Sequence, residues 1–178
     1  MEKIDFVVTW VDGSDPEWIK EKAKYSGQLL NGNEAERFRN WDQLKYWFRG
    51  VEKYAPWVNK VHFITCGHVP DWLNLDHPKL NWVRHEDYIP KEYLPVFSCN
   101  PIELNLHRIE GLAEKFVYFN DDIFPVAKCE PTDFFRDGKP VIGYYTHLFA
   151  CGMYKKICRN SDRLARKALN LQTSVFFT

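Results

Sequence analysis

Residues 115–125 read KFVYFNDDIFP. Phe116, Val117, Tyr118 and Phe119 form an unbroken apolar run of aromatic and β-branched residues, the composition of a strand buried on both faces of a parallel sheet. The run stops at Asn120, Asp121 and Asp122. In an open α/β fold a central strand delivers the residues after it to the carboxyl edge of the sheet, where ligands bind. Two neighbouring ionised carboxylates repel each other, and a Mg²⁺ or Mn²⁺ ion that also carries phosphate oxygens relieves the repulsion. The competing reading is a polar strand exit whose Asn and Asp side chains bond the turning backbone.

With 178 residues and 45% hydrophobic content, the chain can bury the core of one domain, expected to span 1–178. Lysine plus arginine equals aspartate plus glutamate, 24 of each, which argues against a nucleic-acid tether or a polybasic membrane patch. The five cysteines are scattered, without a CxxC pair, and read as reduced thiols of a cytoplasmic protein, not as a zinc site or disulfide frame. The first residues lack the basic and apolar regions of a signal peptide, and no segment is apolar enough for a membrane span, so neither export nor anchoring is expected.

Ile4–Trp10 is a second apolar strand, followed by Val11, Asp12, Gly13, Ser14, Asp15 and Pro16. Gly13 is free to take positive φ, Pro16 suits a first helical turn, and Ser14 or Asp15 can cap the helix from Glu17 to Lys24. Loops of this kind can present backbone N–H groups to a phosphate, although capping alone accounts for the residue types. A helix capped by Asn40 or Asp42 follows, with Leu44, Trp47, Phe48 and Val51 on one buried face and Arg37 and Arg39 ahead of it. Val61–Thr65 and Leu80–Val83 read as strands. His62, His68, His77 and His85 lack metal-ligand spacing and read as surface or hydrogen-bonded histidines.

A helix is expected from about Ile102 to Glu114, with Ile102, Leu106, Ile109 and Ala113 facing the core. Glu103, His107 and Glu110 then share another face, where Glu103 would orient His107 for proton transfer and Arg108 could meet phosphate. A solvated face with i, i+4 pairs is the alternative. Asp133–Gly138 reads as a turn, Val141–Tyr145 as a strand, and Ser161–Leu171 as a basic helix capped by Ser161. The expected fold is α/β, a mostly parallel sheet with helices on both faces.

IDFVVTWVDGSDPEW, from Ile4, resembles the first signature block of the Stealth family of sugar-phosphate transferases. The stretch from Asn40 to Leu80, NPIELNLHRIEGLAEKFVYFNDDIF from Asn100, and PTDFF from Pro131 resemble the long second block. The resemblance implies a Rossmann-like, glycosyltransferase-A-type core, a UDP-sugar donor, a glycan acceptor and Mg²⁺ or Mn²⁺. It places Thr9, Trp10, Asp12, Gly13 and Asp15 at the donor site, and Glu103, His107, Arg108, Asn120, Asp121 and Asp122 around the phosphates and metal. Two further blocks of the family are expected beyond these, on a continuation or a partner chain.

The implied reaction is transfer of hexose-1-phosphate to a glycan hydroxyl in capsular or exopolysaccharide synthesis, with release of UMP. Asp121 and Asp122 would hold the cation, Arg108 would balance phosphoryl charge, and His107 or a carboxylate would take the acceptor proton. An ordinary glycosyltransferase releasing UDP, and an inactive nucleotide-sugar-binding module, are the alternatives. All three require Asp12 and Asp121 on the same edge of the sheet.

Overall fold

The computed structural model describes residues 2–26, 38, 41–142 and 152–170. Four strands, β1 (Ile4–Thr9), β2 (Val61–Thr65), β3 (Leu80–Arg84) and β4 (Lys115–Phe119), form one sheet in the order β3-β2-β1-β4. Every pairing is parallel, and Val8 of β1 lies opposite Phe63 of β2 on one side and Phe119 of β4 on the other. The fold expected from the strand compositions is the fold observed. Parallel neighbours end on the same edge, so the β1 and β4 exits emerge side by side.

Alternation along β1 divides the core. Phe6 and Val8 face α2 (Leu44–Tyr54), packing with its Leu44, Trp47 and Val51 and with Phe63 and Phe119 of the flanking strands. Val7 faces the other way, into Ile64, Val83, Tyr88, Val96, Leu106 and Ile109. Each large apolar side chain buried here contributes about 1.5–3 kcal/mol. Gly50 lets the chain after β4 lie directly on α2, because a Cβ there would stand 2.6 Å from the Pro125 carbonyl oxygen.

Several elements differ from the sequence expectation. α1 runs Pro16–Ser26, longer than its apolar pattern indicated. α2 starts at Leu44 after Gln43, with no side-chain cap; Asp42 sits at φ 55°, outside the helix. Asn40, Arg37 and Arg39 lie outside the described residues. After β3 come α3 (His85–Tyr88) and α4 (Cys99–Leu104). The long helix expected over 102–114 is instead α4 followed by a 3-10 turn, Leu106–Arg108. The Asn105 Nδ2 donates to the Pro101 carbonyl at 2.8 Å, taking the acceptor that a continuing helix would have given to the Asn105 amide. Glu103, His107 and Glu110 therefore do not share a helical face.

Past β4, the expected turn at Asp133–Gly138 is α5 (Pro131–Phe134) and a hairpin of β5 (Phe135–Arg136) with β6 (Lys139–Pro140). Asp137 and Gly138 supply the two positive φ values, 51° and 77°, that its two-residue turn needs. Val141 and Ile142 are not in a strand, and the rest of that expected element lies outside the described residues. α6 runs Gly152–Ala168, so Ser161 lies inside it and not at a cap. The chain divides into two compact units, Met1–Val141 with the sheet and Ile142–Thr178 with α6.

The sheet's amino half is tied by a buried carboxylate. Asp5 is fully buried within β1. Its Oδ1 accepts from Asn59 Nδ2 at 2.6 Å and the Lys60 amide at 3.1 Å, and its Oδ2 from His62 Nε2 at 3.0 Å and the Ala113 amide at 2.8 Å. Asn81 Nδ2 donates to His62 Nδ1 at 3.0 Å, which fixes the neutral ring with its hydrogen on Nε2. Burial opposes ionisation of Asp5, but Asn59, the Ala113 amide and His62 outweigh it and hold the carboxyl below its ordinary range. Burial keeps His62 easier to deprotonate than a free imidazole, despite Asp5.

Asp5→Ala should cost about 3–5 kcal/mol in chemical denaturation, because it strands buried donors on three segments. Both depressed pKa values predict acid lability. The unfolded chain takes protons that folded His62 refuses as pH falls below about 6.5, and Asp5 adds its loss as pH falls through its own lower folded value. His85, lowered to about 4 chiefly by burial, acts in the same direction. The urea midpoint should fall between pH 6.5 and pH 4.5; a constant midpoint contradicts this account.

Candidate functional site

At the carboxyl edge, the loop after β1 is held from several sides. The Trp10 amide donates to the Ile64 carbonyl at 2.9 Å, and the indole stacks on Phe63 with centroids 6.1 Å apart. Asp12 Oδ1 accepts from the Ser14 amide at 3.0 Å and the Ser14 hydroxyl at 2.6 Å. Gly13 is required for space, not for positive φ: a Cβ there would meet Phe38 at 2.3 Å. Asp15 caps α1, accepting from the Glu17 amide at 2.9 Å.

His68, in the loop after β2, binds this β1 loop at two points. Its Nδ1 accepts from the Asp12 amide at 2.9 Å, and its Nε2 donates to Asp15 Oδ2 at 2.8 Å. The Glu17 amide, then His68, hold the Asp15 carboxyl below the usual carboxylate range. Cys66 Sγ lies 3.5 Å from the same Nδ1. The Cys66 sulfur, against the effect of burial and with help from Asp15, pushes the His68 pKa up to about 9. The Asp12 amide nevertheless needs a lone pair on Nδ1, so the ring in this arrangement is neutral, and protonation at Nδ1 must displace that amide.

Asn120 and Asp122, on the loop after β4, are exposed, whereas Asp121 is half-buried. Burial first, and the charge of Asp122 second, raise the Asp121 pKa, and only its own backbone amide opposes them. Asp121 shares a cavity of about 160 Å³ with Thr9, Trp10, Cys66 and Cys99. Beside it, with Trp18, Cys66, His85, Val96 and Phe97 in both walls, opens a cleft of about 590 Å³ that Asp15 and His68 also line. The two strand exits therefore meet at the smaller cavity, which Thr9, Trp10, Val11 and Asp121 line, and the larger cleft adjoins it through shared walls; Asp12 lines neither.

Glu103 and His107 separate. The Tyr118 hydroxyl donates to Glu103 Oε1 at 3.3 Å and lies 3.1 Å from Thr9 Oγ1, so α4, β4 and the end of β1 are joined through one phenol. Burial raises the Tyr118 pKa to about 12, which keeps it a neutral hydroxyl. His107 and Arg108 are exposed on the 3-10 turn, and neither Glu103 nor His107 lines the Asp121 cavity. Tyr118, Cys66 and the His68 clasp are the parts that sequence reasoning passed over. Tyr118 was hidden in an apolar run, and the position of His68 depends on a contact 56 residues away in the chain.

Asp121 and Asp122 have the oxygen chemistry that hard divalent cations prefer. Among the described residues no group of three or more His, Cys, Asp or Glu could by itself hold a metal ion. The donor set suits an ion whose remaining ligands are water and substrate phosphate, the usual situation for Mg²⁺.

Residues 37–142 match the family model Stealth protein CR2, conserved region 2, and residues 2–30 match Stealth protein CR1, conserved region 1. A capsular polysaccharide phosphotransferase of Streptococcus thermophilus is 49% identical over 162 residues, 88% of this chain and 68% of that protein. A receptor polysaccharide phosphotransferase of Streptococcus oralis is 57% identical over 145 residues, 79% of this chain and 44% of that protein. A capsular polysaccharide phosphotransferase of Streptococcus pneumoniae is 55% identical over 144 residues, covering 79% and 43%. The chain thus spans less than half the length of the last two relatives.

The raised pKa of Asp121 gives a stability test. A carboxyl whose folded pKa exceeds its unfolded value favours the folded state below the unfolded pKa, and that contribution is lost as pH rises through the folded pKa. Asp121→Asn removes the loss. At pH 7, without nucleotide or divalent ion, the variant should melt at or above the wild type by roughly 1–3 °C, and the difference should vanish near pH 3. A variant that melts several degrees lower at pH 7 contradicts the assignment of Asp121 as an unsatisfied site carboxylate.

Proposed function

Because the chain belongs to the Stealth family, we propose that it transfers hexose-1-phosphate from a UDP-sugar to a hydroxyl of a capsular or exopolysaccharide, releasing UMP. The observation that carries this reading is the shared recess between the β1 loop and the half-buried Asp121. One strand exit offers aromatic and polar groups for a nucleoside, and its neighbour offers carboxylates for a cation that would balance the charge of a diphosphate.

In this reading the acceptor oxygen attacks the phosphorus next to the sugar. The new O–P bond forms as the bond to UMP breaks, and the sugar C1–O bond is untouched, so anomeric configuration is kept. Trp10 and the Asp12–Asp15 loop orient the nucleoside, with Gly13 keeping the loop tight against Phe38. Asp121 and Asp122 would hold Mg²⁺ or Mn²⁺, which when bound neutralises charge on the diphosphate. Asn120 completes that exit. Glu103, joined to Thr9 through Tyr118, is a better placed candidate to take the acceptor proton than His107 in this arrangement. Arg108, on the same exposed turn as His107, would meet phosphate only if that turn moved toward the recess.

Residues outside the matched stretch, on a continuation or partner chain, are proposed to complete the site. We place the reaction in the cytoplasm. The four described cysteines, Cys66, Cys99, Cys129 and Cys158, are free thiols, in keeping with a reducing compartment, and no helix among the described residues is long and apolar enough to cross a membrane.

Donor labelled at the phosphorus next to the sugar tests the proposal, using UDP-hexoses and an acceptor oligosaccharide from a capsular repeat. Label in the acceptor, with UMP released in equal amount, is the expected result. Unlabelled sugar transfer with release of labelled UDP identifies an ordinary glycosyltransferase. Tight donor binding without either product, with the remaining family blocks supplied, identifies a binding module.

A further inference from the structure

Cys66 and His68, backed by Asp15 of the β1 loop, form an array whose thiol and imidazole have no part in the phosphotransfer steps proposed above. Cys66 is exposed and lines both parts of the recess. Its Sγ lies 3.5 Å from His68 Nδ1, and the opposite ring nitrogen is fixed by Asp15 Oδ2 at 2.8 Å. The His68 side chain is only 16% exposed, so the base is held and the thiol is accessible. A nucleophile within reach of a base that a third group orients is the arrangement by which proteins activate a weak nucleophile. The neutral ring, with hydrogen on Nε2, has the lone pair on Nδ1 that must receive the thiol proton.

We propose that Cys66 is a reactive thiol, activated by the His68–Asp15 pair, that forms a reversible mixed disulfide with low-molecular-weight disulfides and so closes the recess. In the step, Cys66 gives its proton to His68 Nδ1 while its electron pair attacks one sulfur of the small disulfide. The S–S bond breaks, and the departing sulfur leaves with the bonding electrons and takes the proton from His68. Cys66 is oxidised to the mixed disulfide, and the departing sulfur is reduced to a thiol.

The Asp12 amide shares Nδ1 with the thiol, so it must turn away when that nitrogen is protonated. The β1 loop therefore feels the modification directly. Groups facing this array are Asp12 and Asp15 from that loop, Glu17, Lys20, Glu21 and Lys24 from α1, His85 and Glu86 from the start of α3, and Cys99 and Asp121 across the smaller cavity. That the adduct excludes a nucleotide-sugar rests on the function proposed above; the reactivity of the thiol does not.

The test uses the full chain with excess glutathione disulfide and mass spectrometry of the cysteine peptides, with exposed Cys158 as internal reference. At pH 7 Cys66 should be modified at least about tenfold faster than Cys158 and be restored by dithiothreitol. Between pH 8.5 and pH 6.5 its rate should fall less steeply than the roughly fifty-fold drop of an ordinary thiol with its thiolate fraction. His68→Gln, which keeps an acceptor for the Asp12 amide but cannot carry the proton, should bring Cys66 down to the rate of Cys158. Equal wild-type rates, a pH dependence parallel to that of Cys158, or a folded His68→Gln chain that reacts as fast as wild type overturns the proposal. Because the labelling needs neither donor nor turnover, its failure would leave the transfer reaction standing, and loss of transfer would leave the thiol chemistry standing.

Discussion

Parallel pairing of β1 with β4, Val8 opposite Phe119, is the constraint on which the site depends. Strands that run the same way must release their chains at the same edge, so the β1 loop and the acidic turn become neighbours although more than 100 residues separate Asp12 from Asp121. The pairing is secured from both faces. Phe6 and Phe119 touch with ring centroids 4.8 Å apart under α2, and Thr9 and Glu103 meet the Tyr118 hydroxyl near the edge.

Two carboxylates show how the same residue type is assigned to structure or to chemistry. Asp5 is the more deeply buried, yet four donors surround it and it stays ionised. Asp121 is less buried and has only its own amide to offset burial and Asp122, so its charge destabilises the free fold. A satisfied carboxylate ties β1 to the segments around it; an unsatisfied one is available to a ligand.

Much of this was legible in the sequence. The apolar runs at Ile4 and Lys115, and the polar residues that end them, gave the parallel strands and the edge at which they open. Composition cannot report where a helix stops when a side chain competes for its hydrogen bonds, and Asn105 did that, removing His107 and Arg108 from the face on which periodicity had put them. Nor can it report contacts made by folding. His62 and His68 look alike as isolated histidines, but one is locked between Asp5 and Asn81 and the other clasps the β1 loop. Gly13 was legible as a glycine position, and the reason for it, the close approach of Phe38, was not.

The central claim is that the β1 and β4 exits form a single site, joined when bound by a cation and a nucleotide. Linked titration of UDP and Mg²⁺ measures that directly. Each ligand should tighten the other by the same factor, and saturation at a hundred times the dissociation constant should add about 2.7 kcal/mol, roughly 5–10 °C in melting temperature. Changing Asp121 and Asp122 together to Asn should abolish the coupling while the chain stays folded. Equal thermal shifts from UDP in Mg²⁺, in Mn²⁺ and in chelator would contradict the claim.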